Sequence, residues 1–400
     1  MVLGPFVAGS ALAVLAAALF VALDDFTAYP LFEISKQIHE FILSGFLFQF
    51  VAAAARGRRA TAAAGRRRRD ASDSRRRIYG AIFTCSIQAK CVKIVDERVV
   101  QSIQLTEHRD CDGSTASFSR CGRPLGIRWW YGNRFLVADP VYGIIAVDYD
   151  NEKAEIIFAA RNSVGGMPQK FPDDLDVYDN DTIIYSDAST KYSYLDFMLP
   201  FLANEQDGRL IWLKLSTGEA RVLVDKLSFP NGVQIHPDRK SVIFAESVTA
   251  KLYRYYFAGP SKGKLAVFCD ALPGFPDNIR LSADGRHFYL AMFSSRWSVD
   301  DANLTTESIF DYMAPRPWLR KIFGVLIKYL PYRLLHLVLH SSSAEYGIFL
   351  VLDLDGRIVD SYHDSNGTVI REVTQVTDDG EKYLYLGTFM DAEIRRVLKH

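Results

Sequence analysis

The feature that most constrains this chain is a recurring apolar run of strand length. "RFLVAD", "TIIYSD", "SVIFAES" and "HFYLAMF" are rich in Val, Ile, Tyr and Phe and lack helical spacing. Their ends, marked by Asp139, Asp187, Glu246 and Met292, are separated by roughly 46 to 59 residues. The first three are each followed by a short turn and a further strand pair: "GIIAVDYDNEKAEIIFA", "GRLIWLKLSTGEARVLV" and "AKLYRYYFAGPSKGKLAVF". The pattern returns in "GIFLVLDLDGRIVDSY" and "KYLYLGTF". A period of about 50 residues filled by four strands is the blade of a β-propeller, a ring that leaves only short, protected sheet edges. Five clear units and a degraded first one, "RRIYGAIFTCSIQAKCVKIVDERVVQSIQL", predict an all-β fold of six blades over residues 78–400. A β-sandwich of irregular strands is the alternative, and it accounts less well for the spacing.

One long insertion interrupts the fifth unit. In "PRPWLRKIFGVLIKYLPYRLLHLVLH", Trp318, Ile322, Val325, Leu326 and Tyr329 fall near helical spacing with Arg320, Lys321 and Lys328 between them. A helical insertion is expected near residues 312–340, lying on lipid headgroups, lidding the propeller's mouth or packing on blade edges.

A 49% hydrophobic, 13% aromatic composition supplies a core without a dense disulfide network. The formal charge of zero conceals an asymmetry, because Arg56 to Arg77 hold ten arginines against Asp70 and Asp73. The rest of the chain is therefore mildly acidic, which argues against a nucleic-acid-binding globule. The arginine run has no apolar period and reads as a linker or solvated tether within residues 24–77. Residues 1–23 carry no charged side chain and are long enough to span a bilayer. They read as a signal anchor, with a cleaved signal peptide as the competitor. A second apolar run, Phe41 to Ala55, is short for a span and is expected as a buried or interfacial helix.

The arginine run would favour the cytosolic side. Sequons at Asn180, Asn303 and Asn366 would serve only in a lumenal compartment. Cys111 and Cys121 bracket "CDGSTASFSRC", a spacing compatible with a local disulfide, although two free thiols remain open. Cys85, Cys91 and Cys269 show no metal-ligand spacing with histidines and are assigned no chemistry.

The chemistry is expected in three loops preceding apolar runs: "KFPDDLDV", "SFPNGVQI" and "GFPDNIRL". Each places an oxygen-bearing residue, Asp173, Asn231 or Asp277, directly after Phe-Pro, and Asn278 follows the last. One Pro-Asp or Pro-Asn dipeptide is a turn whose side chain caps its own backbone. Three at one repeat position converge on the axis of a propeller. Four hard oxygen donors and no soft ones suit Ca²⁺.

Beyond those loops, "CGRPLGI", "YSDASTKY", "GRLIWL", "LPGFPDNIR", "RPW" and "YLYLGTF", in this order, make the chain from about Cys121 onward resemble the strictosidine-synthase-like family. The resemblance implies a six-bladed propeller related to paraoxonases, gluconolactonases and diisopropylfluorophosphatase. The animal members are type II membrane glycoproteins with arylesterase-type activity, so it implies a lumenal or extracellular propeller at the endoplasmic reticulum or plasma membrane. Carried over, the catalytic calcium site comprises Asp173, Asn231, Asp277 and Asn278. The family usually has Asn where this chain has Asp173. Its first-blade glutamate, from a Gly-Pro-Glu-Ser type loop, has no counterpart in the arginine run before Ile78; Glu40 is a conceivable substitute without a matching motif. Plant alkaloid-forming members use a last-blade glutamate to activate an amine. The aligned position here is Arg371 or Gln375, with Glu372 one residue off, so that condensation is not supported.

The expected activity is calcium-assisted hydrolysis of a small ester or lactone, with Asp277 as an alternative nucleophile and His363 in "YHDSNG" as the proton carrier. The rival expectation is a membrane-tethered binding scaffold that keeps calcium for structure and turns nothing over.

Overall fold

The computed structural model describes residues 50–52, 81–203, 205–299, 305–307, 315–316, 318–320, 322, 346–365, 367–388 and 394–399. Six antiparallel sheets follow one another along the chain as propeller blades. Blade one contains β1 (Phe50–Ala52), β2 (Ala81–Ser86), β3 (Lys90–Val95) and β4 (Arg98–Gln104). Blade two contains β5 (Ile127–Tyr131), β6 (Arg134–Asp139), β7 (Gly143–Asp148) and β8 (Lys153–Ala159). Blade three contains β9 (Pro172–Asp179), β10 (Thr182–Asp187), β11 (Gly208–Lys214) and β12 (Glu219–Leu227). Blade four contains β13 (Pro230–Ile235), β14 (Ser241–Glu246), β15 (Lys251–Tyr256) and β16 (Leu265–Cys269).

Blade five is built from β17 (Gly274–Leu281), β18 (His287–Ser295), β21 (Gly347–Asp353) and β22 (Ile358–Asp364). A hairpin of β19 (Trp297–Val299) and β20 (Thr305–Glu307) intervenes after β18. Blade six shows β23 (Val373–Asp378), β24 (Tyr383–Thr388) and β25 (Arg395–Leu398). The first strands β1, β5, β9, β13, β17 and β23 adjoin one another in turn, and β1 also touches β23, so the ring closes.

The apolar runs that define the repeat are second strands. Every blade lies between two others, so both faces of its second strand are buried and the sequence is apolar without alternation. In β6, Phe135 and Val137 face blade one while Leu136 and Ala138 face blade three. In β10, Ile183 and Tyr185 face back to blade two and Ile184 faces blade four. β14 and β18 repeat the arrangement, with Val242 and Phe244 opposed to Ile243 and Ala245, and Phe288 and Leu290 opposed to Tyr289 and Ala291.

Three expectations change. Phe50–Ala52, inside the run expected as a helix, is a strand paired with Phe83 to Cys85 of β2, so blade one draws its innermost strand from before Ile78. The reason is closure: without β1, the inner edge of β2 would carry unpaired backbone groups and β23 would lose its neighbour across the ring seam. The Phe-Pro segments are not loops ahead of the inner strands but belong to the inner strands β9, β13 and β17 themselves. Cys85 and Cys91, assigned no chemistry, sit opposite each other across the β2–β3 hairpin and form a disulfide.

Cys111 and Cys121 are also bonded, with Cα atoms 5.6 Å apart. Cys121 ends the short helix α1 (Phe118–Cys121). Of the insertion expected near 312–340, residues 315–316, a helical turn at Trp318–Arg320 and the helical residue Ile322 are described, and Trp318 is exposed. The segment 1–23, Glu40, Asn303 and Asn366 lie outside the described residues. Among the described residues no helix is long and apolar enough to cross a membrane.

Candidate metal centre

Asp173, Asn231 and Asp277 occupy equivalent places near the starts of three consecutive inner strands, each directly after a proline. At each place the pairing with the second strand shifts register: between Pro172 and Leu175 in β9, Pro230 and Val233 in β13, and Pro276 and Ile279 in β17. These are bulges, which bend a strand and re-aim its side chains. Proline suits the position because it has no N–H to give to the ladder. Second-strand and loop hydroxyls cross-link the bulged backbone: Ser186 Oγ donates to Asn231 O at 2.7 Å and Ser247 Oγ to Pro276 O at 2.6 Å.

Two glycines allow the strands to close in. A Cβ on Gly126 would lie 2.7 Å from Asp173 O, and one on Gly232 would lie 2.5 Å from Asp277 O. The loops ahead of β5, β9 and β13 are clamped by the acids that mark the repeat. Asp139 accepts from the N–H groups of Arg123, Val141 and Tyr142. Asp187 accepts from Phe171 N and from Arg209, and Glu246 accepts from Ser228 N. Sequence reasoning used these acids only to measure the period; their recurrence at strand ends was the available signal for a structural role.

The predicted donors are buried together. Asp173, Asn231 and Asp277 are at most 7% exposed, and Asn278 is fully enclosed. Burial, followed by the charge of Asp277, holds the Asp173 carboxyl well above the usual carboxylate range. Burial, followed by Asp174, does the same to Asp277, partly offset by Arg280 and by a hydrogen bond with the Asn231 side chain. Asn231 Oδ1 and both polar side-chain atoms of Asn278 are buried without a hydrogen-bond partner. Buried amides left open in this way are costly, and a cation would satisfy their oxygens. Two carboxylates and two amide oxygens on three neighbouring strands fit a hard cation of the Ca²⁺ kind. Among the described residues no three His, Cys, Asp or Glu side chains form a metal-holding group, so any ion here depends on the amides.

Beneath these donors lies a charged network that sequence reasoning missed. Arg280 pairs with both Asp174 oxygens at 2.7 and 2.9 Å and donates to Gln375 Oε1 at 2.6 Å. Arg128 donates to the carbonyls of Leu175, Val233 and Ile279. Burial, followed by the charge of Arg280, lowers the Arg128 pKa to about 10. The only signal was an arginine two residues after Asn278, set between Ile279 and Leu281 in a buried strand. Gln375, one of the two positions aligned with the amine-activating glutamate, is committed to this network and to Thr377.

Above the donors is an aromatic roof. Phe171, Phe229 and Phe275 each precede a donor by two residues and are buried. Phe201, from the helix α2 (Met198–Ala203), lies 5.0 Å from Phe229 and 6.1 Å from Phe275 between ring centroids. A cavity of about 60 Å³, lined by Arg128, Trp129, Arg280, Thr377 and Asp378 among others, lies toward the opposite ends of the inner strands, away from the donors.

His363 is not brought to this centre. It stands exposed on β22, the outermost strand of blade five, with Nδ1 2.7 Å from Tyr346 Oη and Nε2 2.8 Å from Ser361 Oγ. A turn position in sequence fixed its blade but not its distance from the axis. Asn180 is exposed in the β9–β10 turn.

Comparison with known proteins follows the same ground. A family model described as Strictosidine synthase matches residues 173–260, which span the bulges of blades three and four. The adipocyte plasma membrane-associated protein of Salmo salar is 32% identical over 316 residues, covering 77% of this chain and 70% of that protein. The strictosidine synthase-like 6 protein of Arabidopsis thaliana is 32% identical over 276 residues, covering 69% and 67%. A solved gluconolactonase from Xanthomonas campestris shares 11% identity and a TM-score of 0.49, covering 80% of this chain and 82% of that one. The chain belongs to the strictosidine-synthase-like family, together with the adipocyte plasma membrane-associated proteins.

Proposed function

We propose that this protein is a calcium-dependent hydrolase of small esters or lactones, of arylesterase type. The observation that supports the reading is the burial of Asp173, Asn231, Asp277 and Asn278 at three successive bulges, with amide oxygens left open. These four residues would hold the ion. Bound there, Ca²⁺ supplies a Lewis acid for the substrate carbonyl and for the negative charge that develops on it. In this reading Asp277 takes a proton from water or attacks the carbonyl carbon itself. Asn231 orients it by hydrogen bonding. The aromatic roof excludes water, and the apolar rings favour an ester with an apolar acyl or aryl part. His363 has no part in this reading, because it stands on the outer strand of its blade.

The propeller is placed in the lumen or outside the cell, behind a signal anchor at residues 1–23, as a single-pass type II glycoprotein of the endoplasmic reticulum or plasma membrane. Two disulfides and the exposed sequon at Asn180 support an oxidising compartment. The relatives' name, plasma membrane-associated, agrees with that placement. Nucleic acid is not a partner in this reading.

A second reading, a membrane-tethered scaffold with a structural calcium, is favoured by one observation: the donors are almost fully covered. Hydrolysis of phenyl acetate and of a small lactone, with calcium or with chelator, separates the two. The hydrolase reading expects calcium-dependent turnover that falls by more than about 10²-fold in Asn231→Ala and Asp277→Ala. Equal rates in parent and variants, or none in any, reject it.

A further inference from the structure

We propose that Arg280 is a positioning residue for the cation site, holding the three donor-bearing strands at the separation the ion needs. The inference rests on the cation reading above. Arg280 lies two residues beyond Asn278 on β17 and is only 5% exposed. Its guanidinium grips Asp174 through two bonds of 2.7 and 2.9 Å, and Asp174 directly follows the donor Asp173. The same Asp174 carboxylate accepts from Val233 N at 2.8 Å, two residues beyond the donor Asn231. One ion pair therefore touches all three donor-bearing strands, each within two residues of a donor. Gln375 anchors the far side of the guanidinium to blade six at 2.6 Å and is itself held by a bond to Thr377 Oγ1.

The geometry requires a planar fork. A guanidinium presents paired donors at fixed spacing, whereas an ammonium is a point charge that cannot grip a carboxylate and an amide oxygen in one plane. The bulges make the strands compliant where the donors sit, so a rigid link just below them fixes what the ladder there does not. Partners that orient metal ligands in this way typically change metal affinity by about 10- to 100-fold when removed.

The test is calorimetric titration of Ca²⁺ into the full chain in detergent, with thermal unfolding of the same samples. Arg280→Met should weaken Ca²⁺ binding by about 10- to 100-fold and Arg280→Lys by less. Asp174→Asn combined with Arg280→Met should lose no more affinity than Arg280→Met alone, because both act through one link. Ile145→Ala, which truncates the enclosed core between blades one and two, is the control for lost stability alone. Should Arg280→Met fail to fold, Arg280→Lys keeps the buried charge and carries the same comparison. Affinity within about twofold of the parent in the Arg280 variant, or a loss no larger than that in Ile145→Ala, overturns the inference and leaves the cation reading intact. A parent that binds no Ca²⁺ overturns both.

Discussion

Asp139 illustrates how a residue visible in the sequence acquires its meaning only from its surroundings. It marks the repeat, yet in the fold it is a fully buried carboxyl that accepts three backbone N–H bonds. Burial outweighs those donors and pushes its pKa up to about 6. A pKa above the unfolded value means that the folded state binds the extra proton. The resulting stability is fully present below about pH 4 and is lost as pH rises through about 6. Denaturant unfolding of the calcium-free protein should therefore show stability falling across that window. Asp139→Asn should remove its share of that fall, up to about 3 kcal/mol in all. The residues of the candidate site were legible as a group because their types and their place after Phe-Pro repeat. Arg280, Asp174 and Gln375 were not, because charge pairing across blades leaves no local pattern.

Strands and loops divide differently from what propensity suggests. The Phe-Pro segments read as loops because proline and glycine interrupt a strand pattern, and the fold keeps them as strands by bulging there. Phe50–Ala52 read as helix because a short apolar run carries no period of its own. Neither reading could be improved locally, since inter-strand pairing decides both. The roof element α2 was not anticipated, although its chemistry is simple: Phe201 buries its ring against Phe229, Phe275 and Phe293. Removing that ring opens the covered side of the donors. Phe201→Ala should raise kcat/KM for bulky aryl esters relative to phenyl acetate while lowering thermal stability by about 3 kcal/mol. Parallel changes for both substrates would show that the helix is packing and not a gate.

At the scale of the molecule the repeat told nearly everything about architecture. Second strands buried on both faces generate the apolar runs, and a run in each unit implies a neighbour on each side. What it did not tell is how the ring closes, because β1 is three residues inside an uninformative segment. A chain beginning at Ile78 lacks that strand and should lose the single cooperative unfolding transition, as read by circular dichroism and calorimetry. Closure also matters for the candidate site, because its residues hold their positions only while neighbouring inner strands stay in contact.

The measurement that bears most directly on the account is the titration of Ca²⁺ into the calcium-free propeller, read as heat and as a rise in Tm. Saturable binding that disappears in Asp277→Ala and in Asn231→Ala is the predicted result. No heat and no change in Tm with calcium or chelator, or binding unaffected by both substitutions, would contradict the claim that these four residues form one cation site.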